Sequence, residues 1–142
     1  MKVSFTVLGK PQPQGSSKGF VKSRRDGSQY AAVTSDNPKM RPWRQEIGWT
    51  ALRARADAGI PAPWAAVVPV RVVVLFVFAK PKSAKKKRAW PTVKPDWDKL
   101  LRAVGDALTG VIYMDDAQVI GGSVEKQYGL PERAEITVET VD

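Results

Sequence analysis

Residues 94–119, KPDWDKLLRAVGDALTGVIYMDDAQV, set two pairs of aspartates on either side of one short helix. Leu101, Val104, Gly105 and Leu108 fall at i, i+3, i+4 and i+7, the spacing of a single apolar stripe. Asp98 stands where an N-cap belongs, and Gly110 just past the stripe reads as a terminating glycine. A helix this short is expected to return the chain to the same end of a sheet, so that Asp96-x-Asp98 meets Asp115-Asp116. Either pair alone is an ordinary turn or cap signal. Across one helix and beside a basic run, the two pairs favour a divalent-metal site, because a hard cation takes several oxygen ligands and offsets their mutual repulsion. Asp98, Arg102 and Asp106 recur at i, i+4 and i+8 as a second stripe. Taken alone, that stripe reads better as a solvated acid-base-acid face than as a site.

Immediately upstream, residues 80–94 carry Lys80, Lys82, Lys85, Lys86, Lys87, Arg88 and Lys94 without one acid. Such a run is a solvated loop or a phosphate clamp, and its position leading into Asp96 favours the clamp. Trp90 inside it either stacks on a base or anchors the loop. Residues 67–78 are almost continuously apolar apart from Arg71, the pattern of a strand central in its sheet. Residues 42–58 read as a helix, with Trp43, Ile47, Ala51 and Ala54 on one stripe and Pro42 in the first turn. Trp43 and Trp49 fit core or dimer contacts better than base stacking.

Residues 1–8 alternate as a first strand, with Val3, Phe5 and Val7 on one face. Residues 9–38 then form a long polar loop holding Lys10, Lys18, Lys22, Arg24 and Arg25 against Asp26 and Asp36. By composition it is equally a solvated excursion or a functional loop. Downstream, residues 117–128 read as a strand with a bulge at Gly121-Gly122, and residues 133–141 as a last strand with Ala134, Ile136 and Val138 inward. These final two strands are expected to pair as an antiparallel hairpin. The fold class is therefore α/β with an α+β-like cast: one domain over residues 1–142, a mixed sheet with helices packed on it.

Composition narrows the chemistry. With no cysteine, disulfides and thiolate zinc sites are excluded; with no histidine, the commonest general base is missing too. Catalysis would have to use carboxylates, Lys, Arg, Tyr, Ser or a metal-bound water. A net charge of +9 and a pI near 10.0 favour a polyanionic partner. No apolar run reaches the length of a membrane span, and the strand-like start at Met1 gives no signal-peptide pattern.

Lys94-Pro95-Asp96-Trp97-Asp98, Leu100-Leu101-Arg102-Ala103, Asp106-Ala107-Leu108 and Asp115-Asp116-Ala117-Gln118-Val119 together resemble the RusA-type Holliday-junction resolvases. Their pattern is similar to KPDxDNLxKAxxDAL followed by DDxQ. The resemblance implies a RusA-like fold and a small, often phage-encoded endodeoxyribonuclease of a bacterial cytoplasm. It would cut four-way junctions in recombination and repair by paired symmetric nicks. It implies that Asp96, Asp98 and Asp116 are the catalytic acids, that they hold one or two Mg²⁺ (with Mn²⁺ able to substitute), and that Arg102 is the functional basic residue. Asp115 and Asp106 are candidates for supporting those acids. DNA contacts are expected from Lys18, Lys22, Arg24 and Arg25 in the first loop, and from Lys85, Lys86, Lys87, Arg88 and Lys94 in the second. Two strands cut symmetrically need two sites, so a C2 homodimer is expected. No membrane and no small-molecule cofactor are expected. The sequence departs from the pattern at Lys99, where Asn is usual, and at Arg102, where Lys is common. Two alternatives remain: the same chemistry on forks or flaps, and a non-catalytic branched-DNA-binding protein, against which the complete set of acids argues.

Overall fold

Period-two burial along the strands and an apolar face on each helix generate a mixed sheet with helices packed against it. The computed structural model describes residues 1–15, 17–35 and 37–142, with the side chains of 17–20 and 32–35 outside the description. Its elements run β1 (Lys2–Leu8), β2 (Ser17–Ser23), β3 (Gln29–Ser35), α1 (Met40–Asp57), β4 (Val70–Phe78), α2 (Trp97–Leu108), a 3₁₀ turn (Asp116–Gln118), β5 (Val119–Tyr128) and β6 (Arg133–Thr140). The main sheet has the order β1-β6-β4-β5. As its apolar run predicts, β4 is interior, antiparallel to β6 (Val74 opposite Ile136) and parallel to β5 (Val74 opposite Val124). One face carries Val3, Val7, Val72, Val74, Phe76, Ala134, Ile136 and Val138 into a core shared with Trp43 and Ile47 of α1 and Leu100 and Val104 of α2. The other face shows Ser4, Arg71 and Val73 to solvent.

Two expectations about pairing are overturned. β5 and β6 do not form a hairpin, because β4 lies between them. The link 129–132 crosses the end of β4, where the Gly129 amide donates to the Phe78 carbonyl (2.9 Å) and the Ala79 amide to the Glu132 carboxylate (3.2 Å). The parallel β4–β5 pair also makes α2 a crossover helix, since parallel neighbours must be joined end to end. Consequently α2 starts at the C-terminal edge of β4 and delivers the chain to the N-terminal edge of β5. The two aspartate pairs lie toward opposite edges of the sheet, not at one end.

A bulge in β5 is present but falls just before the expected Gly121-Gly122: Val70 pairs with Val119 and Arg71 with Gly121, leaving Ile120 as the extra residue. Gly122 follows at φ +144, and a Cβ there would stand 1.8 Å from the Val72 carbonyl oxygen, so no other residue fits. α2 is rolled from the expected stripe. Its buried residues are Leu100, Ala103, Val104, Ala107 and Leu108, because the helix packs on α1 as well as on the sheet. Fully burying each leucine supplies about 1.5–3 kcal/mol, which anchors the helix that carries the acids. Asp96, not Asp98, occupies the N-cap position, and Gly110 takes φ +82 just past the end as expected. In α1, Trp43 is buried but Trp49 is 69% exposed, so the core takes only the first.

Residues 9–38 are more than a loop. β2 and β3 form an antiparallel ribbon closed by the Arg24 amide on the Ser28 carbonyl (2.7 Å). Its base is stapled by the Asn37 side-chain amide donating to the Pro13 carbonyl (2.8 Å), and tied to α2 by the Gln14 amide on the Lys99 carbonyl (2.9 Å). Among the described residues, no helix is long and apolar enough to cross a membrane.

Candidate active site

Asp96 sits in extended conformation (φ −69, ψ 141), and its carbonyl accepts the Leu100 amide at 3.1 Å to open α2. Its carboxylate makes no capping bond and stays exposed, as does that of Asp98 in the first turn. The approach to Asp96 is fixed from β5. The Lys126 ammonium donates to the Val93 and Pro95 carbonyls, each at 2.8 Å, pinning the segment that delivers the acid. Asp96 and Asp98 line one shallow cleft with Thr92, Val93, Lys94 and Trp97. Asp96 also borders a second cleft lined by Lys10, Lys39, Lys94, Lys99 and Lys126 against Glu132. The excess of ammonium groups draws polyanions toward the acids.

Asp116 is positioned by different chemistry. The Asp115 side chain caps the 3₁₀ turn by accepting the Ala117 amide at 2.9 Å. Gln118 is 5% exposed, and its amide is the hub of the turn. Its oxygen accepts the Met114 and Asp115 amides (2.8 and 2.9 Å), while its nitrogen donates to the Ala65 and Val68 carbonyls (3.0 and 2.8 Å). Asp116 Oδ1 then receives the Tyr113 phenol at 3.3 Å and the Thr109 hydroxyl at 2.8 Å; Thr109 shares its one proton with the Gly105 carbonyl at 2.9 Å. Burial, and next the Asp116 charge, push the Tyr113 phenol far above its ordinary pKa, so it stays a donor.

Asp98, Arg102 and Gly105 fall at i, i+4 and i+7 on α2, one above the next. Asp116 Oδ1 lies 3.4 Å from where a Cβ on Gly105 would be, so the carboxylate rests against this face of the helix. Asp116 thus stands about two turns from Asp98, roughly 10 Å along the axis, with Arg102 between them. Among the described residues no three carboxylates gather closely enough to hold a metal ion. The acid-base-acid ladder does not form either. Arg102 is exposed and has no ion pair among the described residues, while Asp106 reaches across to Arg44 of α1 at 3.7 Å.

A family model described as Endodeoxyribonuclease RusA matches residues 10–139. The chain belongs to the RusA family. It is also 32% identical to the uncharacterized protein YqaN of Bacillus subtilis (strain 168), over 98% of this chain and 96% of that protein. RusA-family proteins are metal-dependent endodeoxyribonucleases, hydrolases that act on branched DNA and resolve Holliday junctions. The mixed sheet with its helices is consistent with a RusA-like fold.

In this RusA-family chain the expected basic residues divide. Lys85, Lys86, Lys87 and Lys94 are exposed around the acidic segment. Arg88 is not: it is half-buried with its guanidinium 5.8 Å from the Tyr128 ring, which makes it a loop anchor. At the ribbon tip, Lys22, Arg24 and Arg25 are exposed, and Arg24 lies 4.6 Å over the Tyr30 ring. The Lys18 side chain lies outside the described residues. Sequence reasoning missed Lys126, Thr109, Tyr113, Gly105 and Gln118. The DDxQ spacing was the one available signal, since a Gln two residues after the pair fits a capping box around the turn.

Proposed function

We propose that the chain, as a single endonuclease domain, is a Mg²⁺-dependent, structure-selective endonuclease that cuts four-way DNA junctions by paired symmetric nicks as a C2 homodimer. The observation that carries the reading is the α2 face: Asp98 and Arg102, without an ion pair among the described residues, then Gly105 with Asp116 packed beside it, rising beside a lysine-lined cleft. Asp96 and Asp98 fit a hard cation in donor chemistry, being exposed carboxylates free of cap bonds, whereas Asp116, about two turns along α2, stands too far from them to share that ion in this arrangement and would serve a second one. Such an ion, when bound, supplies Lewis acidity toward the phosphoryl oxygens and toward water. The chain's own residues do the rest. The lysines of the cleft draw in the phosphodiester, Lys126 holds Asp96 at the entrance, and Tyr113 and Thr109 orient Asp116. Arg102 meets the negative charge that builds on the phosphoryl group.

Labelled four-way, forked and linear duplexes, incubated with and without Mg²⁺ and mapped for nicks, test this directly. Symmetric nicks near the crossover that require the metal support the reading. Faster cutting of forks or flaps would move the substrate, and binding without cutting would leave a non-catalytic DNA-binding protein.

Arg102→Ala is expected to lower single-turnover cleavage about 100-fold at saturating metal. Metal affinity should stay nearly unchanged, because a cation cannot ligate another cation. Arg102→Lys should recover a large part, since it keeps the charge while losing the planar fork. An unaltered rate in Arg102→Ala would return the residue to an ordinary solvated position.

Neutralising Lys85, Lys86 and Lys87 together, and sparing the anchor Arg88, should weaken junction and duplex binding by similar factors. The slope of log K against log salt should flatten by about 0.9 per lost phosphate contact. Salt titrations on a junction and a matched duplex measure it, and an unchanged slope would reduce the run to a solubility patch.

A further inference from the structure

Trp97 is the first residue of α2, set between Asp96 and Asp98, and the residue is 59% exposed. It lines the same shallow cleft as those two acids, together with Val93 and Lys94. No ring or cation contact covers it among the described residues, whereas Trp43 and Trp64 are buried in the core. Trp90 is similarly exposed but does not line the cleft. The Trp97 backbone is firmly placed, since Leu100 of the same turn is fully buried and Lys126 pins the preceding segment. A large, rigid indole held bare between two carboxylates is a surface awaiting a flat apolar partner.

We propose that Trp97 stacks on the nucleobase left without one neighbour at a DNA branch point, and thereby contributes to the preference for branched over linear DNA. The proposal rests on the endonuclease reading above. A phosphate drawn to Asp96 and Asp98 by the surrounding ammonium groups carries its sugar and base past the indole. In a linear duplex both faces of that base are already stacked, so contact with Trp97 would require breaking a step. At a crossover the terminal pair of an arm lacks one stacking neighbour, and the indole supplies it at little cost. Base–aromatic stacking tolerates any base, which leaves sequence preference to other contacts.

The test uses the full chain in EDTA, so that binding is read without cleavage. Its probe is a four-way junction carrying 2-aminopurine at the branch point or deep in one arm. Wild-type protein should change the fluorescence of the branch-point probe and leave the arm probe unaltered. Trp97→Ala should abolish that change and narrow the junction-to-duplex affinity ratio roughly 5- to 150-fold, through junction affinity alone. Duplex affinity then reports that the variant is folded, and Trp97→Phe should restore most of the ratio. A wild type that prefers the junction, with that preference and the probe signal intact in Trp97→Ala, overturns the stacking proposal alone. A wild type that binds junction and duplex equally overturns it together with the branched-DNA reading beneath it.

Discussion

Asn in place of Asp96, Asp98 or Asp116 is expected to reduce junction cleavage by at least about 10²–10³-fold while junction binding persists or tightens. Asn is the informative substitution because it removes charge without removing shape. At Asp96 it remains a good N-cap residue, so α2 should start where it does now. At Asp116 its carbonyl oxygen can still accept the Thr109 hydroxyl and the Tyr113 phenol, so the turn should hold. Any loss of activity then reports on the carboxylate itself. Binding should not fall, because each change deletes a negative charge from a site facing phosphate. Cleavage assays beside electrophoretic binding assays, with thermal melts as the folding control, make the measurement. A triple Asn variant that still cut junctions in Mg²⁺ would show that the acids lie elsewhere.

Gln118→Ala is expected to cost about 3 kcal/mol of stability, a fall in Tm of roughly 10 °C for a chain of this length. Gln118 satisfies two amides and two carbonyls from segments far apart in sequence, and no neighbour can replace all four bonds. Each group left buried and unpaired costs about 1–3 kcal/mol, and partial access of water at Ala65 and Asp115 keeps the sum below the maximum. Gln118→Glu should fare no better, because a second carboxylate oxygen would face the Ala65 and Val68 carbonyls where the nitrogen now donates. Activity should fall in both variants, since the same amide holds the turn that presents Asp116. A melting temperature within about 3 °C of wild type would sink this account.

Much of the architecture is written in local periodicity. β1, β4 and β6 are legible because inward residues alternate, as at Val3 and Val7, or because apolar residues run nearly unbroken through Val70–Phe78, and a strand's side-chain period needs no knowledge of its neighbours. α1 is legible from Trp43, Ile47 and Ala51 for the same reason at period 3.6. The motif residues of 94–119 identify the family, since those side chains are constrained by chemistry at short range.

Pairing and assembly follow different rules. Nothing local in residues 117–141 separates a hairpin from two strands divided by β4, because the short link 129–132 serves either; the choice falls to the apolar β4, which needs a partner on both edges. That choice makes β5 parallel to β4 and sends Asp116 toward the far edge from Asp96, a distance that no spacing in the motif encodes. The roll of α2 is likewise tertiary: packing on α1 as well as the sheet turns Leu100 and Ala107 inward, leaving Leu101 and Gly105 half-buried. Gln118 reads as polar and belongs at the surface by composition, yet it is buried because its four bonding partners come from two segments that meet only in the folded chain. Residue types and their local spacing thus set the strands, the helices and the chemistry available to them. Which groups face each other, and across what distance, was settled by long-range burial and hydrogen-bond satisfaction, forces that act between segments the sequence keeps apart.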